Sequence, residues 1–389
     1  MRAQNKLNTG CYYEAQYNYC KINFPRKKLA KKRQKKSKVN VFALLIACSI
    51  LGAYGYYVCP YMFENFVRPL YFNRFLNRKL VFDSPVSYVN PKSAYIHNSY
   101  LFNTPLFIEP VSKSKDFTTI KMVGELSETK QKLLELFKKY PYLTPSVYVW
   151  EYSTGKGLEI RADEPYESAS IIKIPIAFEL MRLIDESQKT QNPIKLTDKR
   201  KYTNQYKTLG SGHLQYTKAD VDYTLDYLAN EMIAVSDNSA TNMLLYEIGG
   251  MDSFNRAMRN IGLKTTSMGQ WLPDLEGYNK ITAREISEIL YNINNPYYIP
   301  PKYKNVLKEY LGNTKNIHLL KEKLPPDTMV LHKTGNIATM LGDSGIIYTS
   351  TGKKYIVTIL VKRPRNNYNA RFLIQDASLI IYNDINKLN

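Results

Sequence analysis

A stretch of 25 residues without a charged side chain, residues 39–63, divides the chain into two unequal parts. Its mostly apolar centre approaches the roughly 20 residues that a helix needs to cross the hydrocarbon layer of a bilayer. Twelve lysines and arginines and a single glutamate precede it in residues 1–38. Basic flanks of a spanning helix stay in the cytoplasm. The pattern therefore predicts a single-pass anchor over residues 39–60 in the cell membrane, a cytoplasmic tail over residues 1–38, and an extracytoplasmic remainder.

The apolar stretch admits a second interpretation. Leu45-Ile46-Ala47-Cys48 resembles a lipoprotein signal box, which would make Cys48 a lipidated N-terminus and would remove the tail. The apolar stretch continues for ten residues beyond Cys48, which a lipoprotein does not need. A cleavable signal peptide would have a shorter basic region and a small-residue cleavage site. We therefore favour the anchor.

The positive charge of the chain is largely a property of the tail. The formal net charge is +20, of which residues 1–38 carry +11 and the other 351 residues carry +9. A terminal basic run beside an apolar span is typical of a topology signal. We expect the membrane to be a partner through one helix, and we expect no nucleic-acid partner.

All four cysteines lie in the first 59 residues. An exported part without cysteine cannot depend on disulfides, and it has neither a thiol nucleophile nor a thiolate metal site. The four histidines are scattered without a metal-ligand spacing. We expect neither a metal nor a cofactor.

The remaining chain divides into a stalk or accessory region over residues 61–126 and a larger domain over residues 127–389. In that domain, alternating apolar patterns predict hairpins over residues 146–161 and 345–362. The middle, about residues 168–320, has helical periodicity, and a last helical segment covers residues 369–385. Strands at both ends of a helical middle predict one sheet assembled from distant segments.

Three short motifs occur in order in this domain, each weak alone and informative together. They are Ser170-Ile171-Ile172-Lys173, Ser236-Asp237-Asn238 and Lys333-Thr334-Gly335. Ser112 and Ser127 also have a lysine three residues later, so the context decides. Ser170 opens an apolar segment, residues 171–184, which predicts a buried central helix.

A serine in the first turn of such a helix suits nucleophilic catalysis, because the positive helix end and free N–H groups stabilise an oxyanion. Lys173 lies on the same helix face and can reach the Ser170 hydroxyl as a base. The second motif follows one helical stripe and precedes another, so we place it at a break between helices. There Ser236 can pass a proton to a leaving nitrogen, and Asn238 can hold Lys173 or a substrate amide.

The third motif lies on a predicted strand and supplies the expected substrate-binding residues. Lys333 and Thr334 can bind a carboxylate, and Gly335 lets a substrate backbone approach closely. The N–H groups of Ser170 and Asn336 would complete an oxyanion hole.

With these motifs in this order, residues 127–389 resemble a class A β-lactamase, one of the penicillin-interacting serine enzymes. The resemblance implies an α/β fold, with an antiparallel five-stranded sheet flanked by helices beside an all-helical lobe. It also implies a serine hydrolase of the β-lactamase or DD-peptidase type. Such an enzyme forms an acyl-enzyme with β-lactams or with D-amino-acid peptides derived from peptidoglycan. Gly210-Ser211-Gly212 and Thr265-Thr266 are further matches.

One position departs from the family pattern. The family carries W-E-P-E-L-N in the loop that supplies the deacylation base, and this chain has Trp271-Leu272-Pro273-Asp274-Leu275-Glu276. Leu272 occupies the position of the glutamate, which predicts weakened deacylation. Glu276 stands at the asparagine position, which also faces the hydrolytic water, and could take over as catalytic base. A weakened base leaves two alternatives to an efficient enzyme, a penicillin-binding sensor and a cell-wall binding module without turnover.

Overall fold

The computed structural model describes residues 117–296 and 298–388. The predicted tail and the predicted anchor over residues 39–60 lie outside this part of the chain. Within it, no helix combines the length and the apolar character needed to cross a bilayer.

The described residues contain ten strands and eight α-helices. The strands are β1 (Gly124–Glu125), β2 (Thr144–Glu151), β3 (Lys156–Ile160), β4 (Tyr166–Glu167), β5 (Lys199–Tyr202), β6 (Val221–Thr224), β7 (Lys280–Ile281), β8 (Met329–Ile337), β9 (Met340–Tyr348) and β10 (Lys354–Lys362). The helices are α1 (Ser127–Lys138), α2 (Lys173–Ser187), α3 (Leu225–Ala234), α4 (Asn238–Glu247), α5 (Gly250–Asn260), α6 (Ala283–Asn292), α7 (Pro301–Gly312) and α8 (Asn369–Ile385). Both predicted hairpins and the predicted last helix are present.

The main sheet has six strands in the order β1-β3-β2-β10-β9-β8. Five of them, β3 to β8 in that order, are antiparallel, as the family resemblance implied. The prediction of a five-stranded antiparallel sheet was nevertheless wrong in one respect. The two-residue strand β1 pairs with β3 in parallel, so the sheet is mixed.

Close backbone approach explains why β1 could not be predicted from the sequence. The backbone N–H groups of Val123 and Leu126 donate to the carbonyls of Gly155 and Gly157. A Cβ atom on Gly157 would lie 2.4 Å from the carbonyl oxygen of Val149 and 2.7 Å from Met122 Cε, so only glycine fits there. Two residues are too few to produce an alternating pattern. Residues 117–126, at the end of the predicted stalk region, thus include a strand of the sheet.

The sheet separates two apolar cores because side chains alternate along its strands. On β2, Val147 and Val149 pack with α1 and α8 in one core, whereas Tyr148 and Trp150 belong to the other. β10 alternates in the same way and lies at the centre of the sheet, where eight of its nine residues are buried. The second core also includes the helical lobe.

Helix α2 is the buried centre of that second core. Ten of its fifteen residues are buried, including Ile176, Phe178 and Met181. The apolar segment after Ser170 therefore forms the predicted central helix. Strand β8 and helices α3 and α4 lie around its N-terminal end, and this end of α2 is where the three motifs meet.

Candidate active site

Ser170 lies in a short 3₁₀ turn, Ala169–Ile172, that runs directly into α2. The prediction of a serine in the first α-helical turn was thus close, but the α-helix itself begins at Lys173. Strand β8 packs tightly on this turn. A Cβ atom on Gly335 would lie 2.8 Å from Ile171 Cγ1, so the glycine lets the strand approach the backbone on either side of Ser170. Gly335 therefore allows β8 to pack directly against the turn that carries Ser170.

The side chain of Lys173 is fully buried and reaches both motif serines. Its Nζ atom lies 3.2 Å from Ser170 Oγ, 3.1 Å from Ser236 Oγ, 2.6 Å from the Ser236 carbonyl and 2.8 Å from Asn238 Oδ1. Burial holds the pKa of Lys173 well below its usual value, and the nearby charge of Lys333 lowers this pKa further. A neutral amine can accept a proton, so this environment suits a base.

The second motif forms the predicted break between two helices, α3 and α4. Ser236 has a φ angle of +62°, in the left-handed region that few non-glycine residues adopt. Asp237 caps α4, since its carboxylate accepts from the N–H groups of Ala240 and, from the neighbouring loop, Leu214. The capped helix start thus directs Ser236 and Asn238 toward Lys173.

The glycines around Ser211 bring a loop against this motif. Asn238 donates from its backbone N–H to the Ser211 carbonyl and from Nδ2 to the Leu209 carbonyl, at 3.0 and 3.1 Å. A Cβ atom on Gly212 would lie 2.2 Å from Asp237 Oδ2, and Gly212 has a φ angle of +92°. The loop therefore packs against the start of α4. This close packing explains why glycines flank Ser211.

The third motif lies on β8 as predicted. Lys333 is buried and donates to the Thr334 carbonyl at 2.9 Å. Burial lowers the pKa of Lys333 to about 8, although the carboxylate of Asp343 opposes this shift. Asn336 is exposed at the end of the motif, and its Oδ1 accepts from Arg363. Lys333 thus provides a poorly solvated cation that an anionic substrate group would neutralise.

One cleft of about 360 Å³ brings most of these side chains together. Its lining residues are Ser170, Ser211, Ala234, Val235, Ser236, Thr314, Lys315, Asn316, Lys333, Thr334 and Asn336. Lys173 and Asn238 lie directly behind the two serines. The cleft lining includes Lys315 and Lys333 and no carboxylate, so the cleft is electropositive.

Leu272, at the position of the family's glutamate, is held firmly against α4. Its N–H donates to Asn242 Oδ1 at 3.1 Å, and its carbonyl accepts from Asn242 Nδ2 at 2.8 Å and from Thr208 Oγ1 at 3.0 Å. Asn242 lies one turn after Asn238 on the same helix face. The loop is therefore anchored beside the site, and at this position it presents a buried leucine.

Glu276, the predicted substitute for the missing base, is exposed and does not line the cleft. The loop around it is closed by Asp274, whose carboxylate accepts from the N–H groups of Tyr278 and Asn279 at 2.9 and 2.7 Å. Every other predicted site residue lines the cleft or contacts the turn and side chains that form it. Glu276 is the exception.

Sequence reasoning missed two parts of the site. The first is the cleft wall formed by Thr314, Lys315 and Asn316, which follows α7 and belongs to no motif. The second is Asn242, whose position one turn after Asn238 was the available signal. In residues 117–296 and 298–388, no group of three or more His, Cys, Asp or Glu side chains is arranged to hold a metal ion.

A family model described as the beta-lactamase enzyme family matches residues 128–385, about two thirds of the chain. The chain belongs to the beta-lactamase enzyme family. Among curated members, it is 28% identical over 198 residues to the beta-lactamase ROB-1 of Haemophilus influenzae, covering 49% of this chain and 62% of ROB-1. The chain thus spans less than two thirds of that relative. It is 24% identical to a beta-lactamase of Mycobacterium tuberculosis over 272 residues, 65% of this chain and 82% of that protein.

Solved structures agree with this fold. PBP-A superimposes with a TM-score of 0.65 at 28% identity, covering 69% of this chain and all of PBP-A. A PBP-A variant with one leucine-to-glutamate substitution, solved as an acyl-enzyme with penicillin G, gives the same score and identity. A beta-lactamase of Sphaerobacter thermophilus, at 20% identity and a TM-score of 0.59, covers 68% of this chain and 98% of its own and supports the fold alone.

The geometry of this beta-lactamase family site can support covalent catalysis. A serine hydroxyl lies beside a buried lysine whose environment favours the neutral form, and a second serine contacts the same lysine. A buried cation lies across the cleft on β8. This arrangement has the groups that covalent catalysis requires: a hydroxyl that can attack, an amine that can accept its proton, a second hydroxyl in contact with that amine, and a cation that can bind an anion.

Proposed function

We propose that this protein is a serine hydrolase that forms an acyl-enzyme on Ser170 with β-lactams or with D-amino-acid peptides of the cell wall. The observation that carries the proposal is the position of Lys173. Its buried Nζ contacts the hydroxyls of both Ser170 and Ser236. Proton transfer through a positioned base of this kind contributes roughly 10²- to 10⁴-fold to a reaction rate.

Acylation would proceed in two stages. Ser170 Oγ attacks the substrate's carbonyl carbon while Lys173 takes the hydroxyl proton, and the N–H groups of Ser170 and Asn336 stabilise the oxyanion. When the oxyanion collapses, the carbon–nitrogen bond breaks and the leaving nitrogen takes a proton from the Ser236 hydroxyl. Lys173 then returns its proton to Ser236. The substrate keeps its own carboxylate, which Lys333 and Thr334 bind.

We further propose that the acyl-enzyme is long-lived. Hydrolysis of the ester requires a base that activates water, and the side chain at the family's base position is the apolar Leu272. Asp274, the nearest carboxylate along the loop, accepts from the N–H groups of Tyr278 and Asn279, and Glu276, the next one, is exposed. In this reading the protein behaves as a penicillin-binding protein. The similarity to PBP-A supports this choice over an efficient β-lactamase.

The test is the intact mass of the purified protein, followed over time after addition of benzylpenicillin. We expect one adduct per chain to form and to persist for minutes or longer. Rapid disappearance of the adduct with consumption of excess penicillin would show an efficient β-lactamase. No adduct at all would contradict acylation and favour a binding module without chemistry.

The two active-site lysines predict a bell-shaped pH dependence of acylation. Lys173 must be neutral to act as a base, so the second-order rate constant of acylation should rise as pH increases through its lowered pKa. Lys333 must be charged to bind a carboxylate, so the same constant should fall above about pH 8. Stopped-flow acylation with benzylpenicillin measures both limbs. With benzylpenicillin methyl ester the falling limb should be absent, and its persistence would contradict the role of Lys333.

We also propose that the domain is held at the outer face of the cell membrane by the anchor over residues 39–60. The support is the charge-free stretch preceded by twelve basic residues. Protease added to intact cells should remove the domain and spare the tail. A mature chain that begins at a lipidated Cys48 would contradict this topology.

A further inference from the structure

A buried histidine–aspartate pair lies next to the carboxylate-binding motif, and the acylation steps do not use it. His332 and Asp343 are 1% and 0% exposed. His332 Nδ1 lies 2.9 Å from each of the two carboxylate oxygens of Asp343. A buried carboxylate is costly unless it is paired, so this pair is a constrained feature of the sheet.

The strand register explains how the pair forms. On the adjacent antiparallel strands β8 and β9, His332 lies opposite Gly345, and Thr334 lies opposite Asp343. The imidazole therefore has to extend diagonally along β9 to reach Asp343. A Cβ atom on Gly345 would lie 2.7 Å from His332 Cβ, so the glycine makes room for this contact.

The same two residues hold the wall of the cleft. Asp343 Oδ2 accepts from the N–H of Leu320 at 3.1 Å, and the His332 carbonyl accepts from Thr314 Oγ1 at 2.5 Å. Both ends of the segment over residues 314–320 are thus tied to the pair. Thr314 and Lys315, from the start of this segment, line the cleft with Lys333.

The charge of Asp343 also acts on Lys333. Burial disfavours the charged form of Lys333, and Asp343 on β9 is the carboxylate that favours it. Lys333 and Lys173 on α2 interact electrostatically, because the charge of Lys333 lowers the pKa of Lys173, and Asp237 at the start of α4 raises the pKa of Lys173. Removal of the negative charge at Asp343 would leave Lys333 buried beside Lys173 without this compensation.

We propose that Asp343 is a positioning residue of the substrate-carboxylate site. Through His332 and Leu320 it fixes β8 against the cleft wall, and its negative charge keeps Lys333 protonated for a substrate carboxylate. Asp343 itself does not touch the substrate. This inference rests on the proposed function, because it concerns the same acylation reaction.

The experiment is Asp343→Asn in the full-length protein, which preserves shape and removes the charge. We expect the second-order rate constant of acylation by benzylpenicillin at pH 8 to fall roughly fivefold, the effect on the charged fraction of Lys333 when its pKa drops by about one unit from about 8. The loss should appear in substrate affinity rather than in the limiting acylation rate. The falling limb of the pH profile should move to lower pH, and acylation by the methyl ester should be unchanged.

Asp376→Asn is the matched control, since Asp376 forms an ion pair with Lys323 on the protein surface. It makes the same charge change and should alter neither affinity nor the pH profile. Asp343→Glu restores the charge, so its falling limb should stay near that of the wild type even if affinity drops. If Asp343→Asn does not fold, the pH profile of Asp343→Glu tests the inference instead.

The outcomes separate this inference from the proposed function. An unchanged pH profile and affinity in Asp343→Asn, with only a lower melting temperature, would overturn the inference and leave acylation intact. A falling limb moved to lower pH in Asp343→Glu would also overturn it. Failure of the wild-type protein to form any adduct at Ser170 would overturn the proposed function and this inference with it.

Discussion

Replacement of Ser170 with alanine is expected to abolish the covalent penicilloyl adduct, and Lys173→Ala is expected to slow its formation roughly 10²- to 10⁴-fold. The reason is that Lys173 is the only base within hydrogen-bond distance of Ser170 Oγ in the described part of the chain, at 3.2 Å. Its pKa is lowered by burial and by the charge of Lys333, which favours the neutral amine that can accept the proton. Intact mass and the rate of adduct formation measure both effects.

The chain provides a matched control in its own sequence. Ser127 and Lys130 have the same spacing, but the structure places both on the surface, where Lys130 forms an ion pair with Glu125. Ser127→Ala and Lys130→Ala should leave acylation unchanged. An adduct that persists in Ser170→Ala and maps to Ser127 or Ser112 would show that the nucleophile is another serine.

This contrast shows why the site could be located from the sequence. The segment after Ser170 is apolar on nearly all sides and predicted a buried helix, whereas the segment after Ser127 has a single apolar stripe, which is typical of a helix at the surface. The order of the other motifs then determined which elements must meet. The meeting of Lys173, Ser236 and Asn238 at hydrogen-bond distance results from a helix start and a helix break, and both carry local signals.

Other features depend on register and close packing, which leave no local pattern. Gly335 was expected to make room for a substrate, yet its missing side chain also admits the turn that carries Ser170. The contact of His332 with Asp343 depends on the pairing of β8 with β9. The short strand β1 depends on Gly157. A sequence pattern reports which face of an element is buried, but not which atoms of two distant segments come within about 3 Å of each other, the distance of a hydrogen bond.

The second large effect concerns deacylation, and we expect Leu272→Glu to accelerate loss of the adduct roughly 10²- to 10⁴-fold, equivalent to about 3–5 kcal/mol. The backbone of Leu272 is fixed by Asn242, one turn from Asn238 and its contact with Lys173. Leu272 stands at the family's base position, so we expect a carboxylate introduced there to reach the attacking water and take its proton. Formation of the adduct should change little, because Lys173 supplies that base.

Leu275→Glu is the control for this substitution, since Leu275 lies on the same loop and is 70% exposed. It introduces the same carboxylate three residues away and should leave the adduct long-lived. The measurement is the decay of the penicilloyl adduct after removal of free penicillin, recorded by intact mass.

Glu276→Gln distinguishes a loop that lacks a deacylation base from a loop in which Glu276 is that base. If the exposed Glu276 takes no part, the variant should behave like the wild type, with a persistent adduct that Leu272→Glu shortens. If Glu276 is the base, the wild type should turn over, Glu276→Gln should freeze the acyl-enzyme without slowing its formation, and Leu272→Glu should add little. Because Glu276 is exposed and the loop around it is closed by Asp274, we expect the first result. Fast turnover in the wild type that survives Glu276→Gln would mean that the deacylation base is at neither position 272 nor position 276, and would overturn both explanations of the loop.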